Sequence, residues 1–380
     1  MDKVKLKDVA TIEAGQGAPQ DKQVFGKNGH PFIRAGHLEG LINGKQHIDQ
    51  MENIDDENAK KYKLKLFKKG TILFAKSGMS CMKGWVYVIP KDCYVVSHLA
   101  CVYSTKFSNR FLKYYFSYER PNKLIMDESY PSISLSSIGE LLIPNYDLPT
   151  QQKIVEELDC LSDIIEKKKK QLSDFDELIK SKFVEMFGDP LINDKKFKTK
   201  SLSVACPFNK FKGVVDSVDD KYWILNLDMI ESNTGRIIEK VYQPLNEIGN
   251  STISFDTECI LYSKLRPYLN KVAIPDTTGY ATSELISMKT GNEINKYYLA
   301  YLLRNESFVT YINSKTTGAK MPRASMDYLR DFPLMIPEIA MQNEFAEFVK
   351  LIDKSKVKLQ QSIEETQNLF NERMQHHFGE

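Results

Sequence analysis

Apolar residues recur along two stretches of the chain in alternating steps of four and three. The first runs Ile154, Leu158, Leu161, Ile165, then Lys168, then Leu172, Phe175 and Ile179; the second runs Phe345, Val349, Ile352, then Lys356, then Leu359, Ile363, then Thr366, then Phe370. A 3.5-residue period held over several turns is a heptad seam, which predicts long helices that supercoil around a partner. The polar interruptions, Lys168 in one seam and Lys356 and Thr366 in the other, fall at unmatched heights. Polar seam residues fix register and partner at some cost in stability, so the mismatch favours pairing the two unlike helices with each other. The seams leave orientation open; an antiparallel pair suits a two-fold repeat. A helix from about Thr150 to Phe187 is roughly 55 Å long at ~1.5 Å per residue.

The seams belong to a longer internal repeat. An offset of 191 carries Gln151 onto Gln342, Ile154 onto Phe345, Leu158 onto Val349, Leu161 onto Ile352, Leu172 onto Ile363, Leu178 onto Leu369 and Phe183 onto Met374. The ends coincide as Phe187-Gly188-Asp189 and Phe378-Gly379-Glu380, and both stretches follow an Ile-Pro, Ile143-Pro144 and Ile336-Pro337. Upstream, with small changes of offset, Ile72-Leu73-Phe74-Ala75-Lys76 matches Ile260-Leu261-Tyr262-Ser263-Lys264. Val88-Ile89-Pro90 matches Ala273-Ile274-Pro275, Ser97-His98-Leu99 matches Ser283-Glu284-Leu285, and Asn109-Arg110-Phe111-Leu112 matches Asn295-Lys296-Tyr297-Tyr298. A collinear repeat of this length is too long for a solenoid and fits a domain plus an accessory element. The expected order is globular domain at 1–149, long helix at 150–189, globular domain at 190–337, long helix at 338–380. The aromatic clusters Lys113-Tyr114-Tyr115-Phe116 and Tyr297-Tyr298-Leu299-Ala300-Tyr301 have helical spacing and are expected in the core, ahead of any base-stacking role.

Composition changes this picture little. At 380 residues with 42% hydrophobic content the chain can form two domains with real cores. No stretch approaches the ~18 apolar residues of a membrane span, and nothing after Met1-Asp2-Lys3-Val4-Lys5 looks like a signal core, so a cytoplasmic location is expected. The net charge of +2 is near neutral, with 21 Lys/Arg against 16 Asp/Glu over residues 1–149 and 17 against 15 over 198–337. Any nucleic-acid surface must therefore come from local clustering of charge. The cysteines Cys81, Cys93, Cys101, Cys160, Cys206 and Cys259 show no metal-binding spacing and are expected to be reduced and mostly buried. An exposed helix end accounts for His376-His377, and a solvated face for most of the Lys167–Lys170 run.

The segment around the first helix start reads Pro131-Ser132-Ile133-Ser134-Leu135, then Leu141-Leu142-Ile143-Pro144, then Leu148-Pro149-Thr150-Gln151-Gln152-Lys153-Ile154-Val155. With the duplication and the opening Val4-Lys5-Leu6-Lys7-Asp8-Val9-Ala10…Gly15, it resembles the specificity subunit of type I restriction–modification enzymes. In that family two target-recognition domains alternate with two helical regions. Phe32-Ile33-Arg34-Ala35 and Trp223-Ile224-Leu225-Asn226 sit where such domains carry an early strand, and Gly70–Lys76 and Glu258–Lys264 where they carry a central one. One departure is that Ile336-Pro337-Glu338-Ile339-Ala340-Met341-Gln342 lacks the Leu-Pro pair and the second Gln. The resemblance implies an α+β chain: two target-recognition domains, two long helices pairing as an antiparallel coiled coil, and a pseudo-two-fold repeat.

The resemblance also implies a non-catalytic role. Each domain would read one half of a bipartite site on double-stranded DNA. The helices would set the gap and recruit two methyltransferase subunits, restriction/translocase subunits would join, and S-adenosylmethionine and ATP would belong to those partners, leaving this chain without a cofactor or metal. The sequence agrees: Ile143-Pro144-Asn145-Tyr146 only approximates an adenine-methylation motif, Glu13-Ala14-Gly15-Gln16-Gly17 reads as a plain turn, and there is no Walker lysine loop. Arg and Lys can pair with guanine or hold phosphates. On that chemistry the candidate DNA-contacting residues are Arg34, Lys76, Ser77 and Lys83 in the first domain, and Lys264, Arg266, Lys271, Lys320 and Arg323 in the second. Lys76 and Lys264 are equivalent under the repeat. Gly78 would let the Ser77-Gly78-Met79-Ser80 turn approach DNA closely, and Thr316–Arg323 reads as a basic, mobile loop. For each charge the competing reading is an ordinary solvated side chain. The competing functions are the recognition subunit of another restriction class, of type IIB kind, and a coiled-coil scaffold pairing two ligand domains.

Overall fold

The computed structural model describes residues 2–208, 213–249, 251–318 and 320–379. Two compact units emerge, one formed by Met1–Lys167 with Ile363–Glu380 and the other by Lys168–Ser362. The division falls inside both long helices, Leu148–Phe187 and Ile339–Phe378, each of 40 residues.

The first unit is built around a four-stranded antiparallel sheet in the order Thr11–Ala14, Leu99–Tyr103, Ile72–Ala75, Val86–Val88. The run Ile72-Leu73-Phe74-Ala75 is buried at every position, as a strand covered on both faces must be. A second sheet sets His30–Ile33 antiparallel to Asn53–Ile54 and parallel to Tyr94–Val95. Lys3–Lys5 pairs antiparallel with Leu142–Pro144. Helix Asn109–Glu119 buries Phe111, Leu112, Tyr114, Tyr115 and Phe116, which places the aromatic cluster in the core.

The second unit repeats this plan. Cys259–Ser263, also buried throughout, lies between Val272–Ala273 and Leu285–Lys289, antiparallel to both. Lys221–Leu225 pairs parallel with Gly279–Thr282, as His30–Ile33 does with Tyr94–Val95. Val241–Pro244 pairs antiparallel with Lys221–Leu225 as Asn53–Ile54 does with His30–Ile33, and the sheet gains Ser217–Val218 and Thr252–Phe255. Lys198–Ser201 pairs with Pro333–Ile336 as Lys3–Lys5 does with Leu142–Pro144. The expected early and central strands are present in both halves.

The seams behave as their period demands. Every seam position from Ile154 to Ile179 and from Phe345 to Phe370 is buried or half-buried. Leu178 and Leu369, equivalent under the repeat but off the seam, are exposed. Asp147 caps the first helix, accepting from Thr150 N–H at 3.0 Å, and Pro149 sits in the first turn, where a missing N–H costs nothing. The core of the first unit takes in Ile154, Val155 and Leu158 from one helix and Met374 and Phe378 from the other. The core of the second takes in Ile179, Phe183 and Phe187 with Phe345, Val349 and Ile352. Phe378 packs on Phe111 with ring centroids 5.1 Å apart, and Phe187 on Tyr298 at 4.7 Å.

The repeated glutamines explain themselves here. Gln151 is buried; its Oε1 accepts from Ser108 N–H at 2.8 Å and its Nε2 donates to Tyr146 O at 2.8 Å. Gln342 is buried likewise, accepting from Asn295 N–H at 2.9 Å and donating to Glu293 O at 2.9 Å and Pro337 O at 2.8 Å. Each ties the first turn of a long helix to the start of the aromatic-rich helix of its own unit. Of the Lys167–Lys170 run, Lys168 turns inward to Ser362, with Nζ donating to the carbonyl at 3.1 Å and to Oγ at 2.7 Å. Lys356 pairs with Asp176. His377 and Arg373 both meet Glu157, each at 2.9 Å, so the His376-His377 pair is not simply a free helix end. All six cysteines are free thiols, five of them buried, with Cys160 exposed.

Candidate nucleic-acid interface

In each unit the chain leaves the central buried strand into the same backbone arrangement. After Ile72–Ala75, Lys76 N–H donates to His98 O at 2.9 Å, and Lys76 O accepts from Ile133 N–H at 2.7 Å. Ser77 bridges to Ser132, and Gly78 N–H donates to Pro131 O at 3.0 Å. After Cys259–Ser263, Lys264 N–H donates to Glu284 O at 3.1 Å, and Lys264 O accepts from Ala324 N–H at 2.8 Å. Leu265 bridges to Arg323, and Arg266 N–H donates to Pro322 O at 2.7 Å. A short 3-10 turn follows in both cases, Met79–Lys83 and Pro267–Leu269, closed by a left-handed residue, Gly84 or Asn270.

The third residue of the frame also has positive φ in both halves. Gly78 has φ 78° with nothing within 4 Å of where a Cβ would stand. Its counterpart Arg266 has φ 50° and ψ 65°, in the left-handed region, and carries a full side chain. A non-glycine residue held there costs on the order of 1 kcal/mol or more and persists only where its surroundings fix it. The backbone hydrogen bond to Pro322 is what fixes Arg266.

Side chains on this frame differ between the units. In the first, Ser77 Oγ and His98 Nδ1 share a 2.7 Å hydrogen bond. In the second, Arg323 Nε lies 3.3 and 3.2 Å from the two Glu284 carboxylate oxygens, and Nη2 donates to Oε1 at 2.8 Å. Hydrogen bonding from Arg323 holds the Glu284 carboxyl below the usual carboxylate range, outweighing the upward push of partial burial, and the Lys264 charge acts the same way. Arg323 is raised in turn by Glu284.

The structure therefore gathers Lys76 and Ser77 on one frame, with Lys83 exposed at the end of the adjoining turn. It gathers Lys264, Arg266 and Arg323 on the other. Lys320 is exposed on the segment leading to Arg323; Ala319 of that segment lies outside the described residues. The arms of the segment are ordered, since Thr316–Thr317 forms an antiparallel ladder with Arg323–Ala324. Arg34 and Lys271 have local partners. The Arg34 guanidinium stacks on Phe25 and Phe32, 4.8 and 5.2 Å from their ring centroids, and pairs with Glu52 at 3.4 Å. Lys271 Nζ donates to Leu227 O at 2.6 Å. His98 and Glu284 were visible in the sequence only as a repeat match; the structure gives both a side-chain role. Among the described residues no group of three or more His, Cys, Asp or Glu is placed to hold a metal, and no helix is long and apolar enough to cross a membrane.

The family model described as "Type I restriction modification DNA specificity domain" matches residues 1–174 and 210–366, two copies that cover both units. This chain belongs to that family. As a member of the type I restriction–modification specificity family it is 33% identical over 115 residues to the type I restriction enzyme MjaIX specificity subunit of Methanocaldococcus jannaschii, covering 30% of this chain and 25% of that protein. It is 27% identical over 123 residues to the EcoDI specificity subunit of Escherichia coli, covering 32% of this chain and 27% of that one. The chain thus spans about a quarter of the length of the curated relatives it matches. Among solved structures, the type I restriction–modification S subunit from M. genitalium aligns over 100% of this chain and 96% of its own, with TM-score 0.56 and 12% identity. A chain from a type I R-M system, solved for complex assembly and conformational transition, aligns over 99% and 97%, with TM-score 0.60 and 12% identity. At that identity the likeness shows a shared fold, here extending over nearly the whole of each chain.

Proposed function

We propose that this protein is the DNA sequence-specificity subunit of a type I restriction–modification enzyme and is itself non-catalytic. Each unit reads one half of a bipartite site on double-stranded DNA. The long helices set the gap and take up two methyltransferase subunits, and restriction/translocase subunits join the assembly. S-adenosylmethionine and ATP bind those partners, and the complex works in the cytoplasm. The observation that carries the reading is the duplicated frame: one backbone arrangement at equivalent places in the repeat, presenting different donors in each half. Backbone identity suits a common way of docking on a duplex, and side-chain difference suits two different half-sites.

The helices pair as an antiparallel coiled coil in this reading. Its support is the order of partners within each unit, Glu157 with Arg373 and His377 in one, Lys168 with Ser362 and Asp176 with Lys356 in the other, so that numbers rise along one helix as they fall along its partner.

The test is selection of bound duplexes from a randomised DNA library by the chain co-expressed with its methyltransferase. The expected result is a split motif bound with strong salt dependence. Binding with no sequence preference and no salt dependence contradicts the reading. Exchanging residues 1–149 for those of a relative is expected to change one half-site only, and adding whole helical turns within 150–187 to change the gap while both half-sites stay.

A further inference from the structure

We propose that Arg323 reads a guanine in the second half-site through the outer fork of its guanidinium, and that Glu284 is the positioning residue that aims it. The inference rests on the DNA-reading role proposed above.

A guanidinium has five N–H donors in a rigid plane. Glu284 engages it side-on, through Nε and one N–H of Nη2. Both N–H groups of Nη1 and the second of Nη2 have no partner among the described residues, and the Arg323 side chain is 45% exposed. Those groups form an end-on fork whose spacing matches two neighbouring acceptors in one plane, as on the O6/N7 edge of guanine. The backbone under the fork is held from both sides, by the ladder to Thr317 and the bridge to Leu265. Glu284 is anchored through its own carbonyl, which accepts from Lys264 N–H at 3.1 Å. The long side chain is therefore ordered before any ligand arrives, which lowers the entropic cost of binding.

Two observations favour a base edge over a phosphate. The Arg323–Glu284 pair is close to neutral as a unit, and a carboxylate beside a phosphate is unfavourable, whereas a base edge carries no net charge. The pair is also peculiar to this half: the equivalent positions in the first unit are Ser132 and His98, and the side chain held there is Ser77. A general backbone clamp would be expected at both places in the repeat, as Lys76 and Lys264 are.

The experiment compares the DNA libraries selected by the full chain with its co-expressed methyltransferase, for wild type, Arg323→Ala, Glu284→Ala and the double variant. The wild type is expected to select guanine at one position of the second half-site. Arg323→Ala loses that preference by about 5-fold or more, the range of a bidentate base contact, and leaves the other positions unchanged. Glu284→Ala weakens the same position to a lesser extent, and the double variant is no worse than Arg323→Ala alone, because Glu284 acts only through Arg323. Unaltered selection of the first half-site serves as the control for folding and assembly. A uniform loss of affinity with Arg323→Ala, together with a shallower salt dependence, makes the residue a phosphate contact and overturns the proposal. Unchanged selection, or Glu284→Ala altering a different position from Arg323→Ala, also overturns it. A wild-type chain with no preference at all removes the DNA-reading role itself, a separate result.

Discussion

The two units hold their central loop with the same hydrogen bonds. Lys76 is suspended between His98 and Ile133 at 2.9 and 2.7 Å, and Lys264 between Glu284 and Ala324 at 3.1 and 2.8 Å. Tyr115 and Tyr298 each donate from the hydroxyl to a strand carbonyl, Leu142 O and Met335 O, at 3.1 Å. On this shared backbone, one unit carries a Ser77–His98 hydrogen bond and a glycine with positive φ. The other carries the Arg323–Glu284 ion pair and an arginine whose φ is also positive. The difference teaches that the fold is maintained by main-chain bonds and buried side chains, so the exposed side chains on the frame can change without disturbing it.

The comparison can be broken at several levels. The largest effects are expected at the paired phenylalanines. Phe187→Ala and Phe378→Ala each remove a fully buried ring from an aromatic cluster and should cost about 3–5 kcal/mol. Denaturant unfolding followed by hydrogen exchange is expected to show the second unit loosening with the first variant and the first unit with the second. Loosening of the same unit by both would end the equivalence of the two helix ends. Next come Gln151→Ala and Gln342→Ala, which leave partly or fully buried backbone groups without their side-chain partner, at up to about 1–3 kcal/mol each. Gln342 satisfies three such groups against two for Gln151, so its loss should lower thermal stability more. Equal or reversed costs would contradict the two networks as described.

A smaller effect is expected at Lys168. Lys168→Met should change stability by no more than about 1 kcal/mol in either direction, since apolar seam residues add packing while the polar one fixes register. Its consequence should appear as looser pairing, measurable by cysteine cross-linking between the long helices; unchanged cross-linking positions would remove the register role.

The smallest effect is a pH dependence at the Lys3–Lys5 and Leu142–Pro144 strand pair of the first unit, through Glu140. Hydrogen bonds from Lys5 and Lys7 hold the Glu140 carboxyl down at about 2, against an ordinary value of 4.5. A depressed carboxyl contributes stability that is fully present above its unfolded value and is lost as pH falls through the folded one. Protection factors, corrected for the intrinsic slowing of amide exchange in acid, should therefore fall in the Lys3–Lys5 and Leu142–Pro144 pair between about pH 4.5 and 2, and Glu140→Gln should remove that dependence. Persistence of the same dependence in Glu140→Gln would assign it to another group.

Much of the architecture was legible because it is periodic or repeated. The seams anticipate which helix positions are covered, and polar residues at Lys168 and Lys356 turn out to reach specific partners. The division of each long helix between two units was not legible. It depends on which turns meet which core, a long-range matter that chain order conceals. At the candidate site, chemistry alone ranked Arg34 with Arg323, yet Arg34 stacks on Phe25 and Phe32 while Arg323 keeps an open fork. Neither arrangement follows from residue type, because each depends on which side chains the folded backbone brings alongside, Phe25 and Phe32 for Arg34 and Glu284 for Arg323. His98 and Glu284 were missed for the same reason, although the Ser97-His98-Leu99 and Ser283-Glu284-Leu285 match marked the position.

The claim that the two frames read two separate half-sites is tested most directly by the methylated sequences in cells expressing this chain with its methyltransferase, before and after exchange of residues 1–149. The account predicts a split motif with a fixed gap, in which the exchange replaces one part and leaves the other part and the gap intact. A continuous motif, or a change in both parts together, would contradict it.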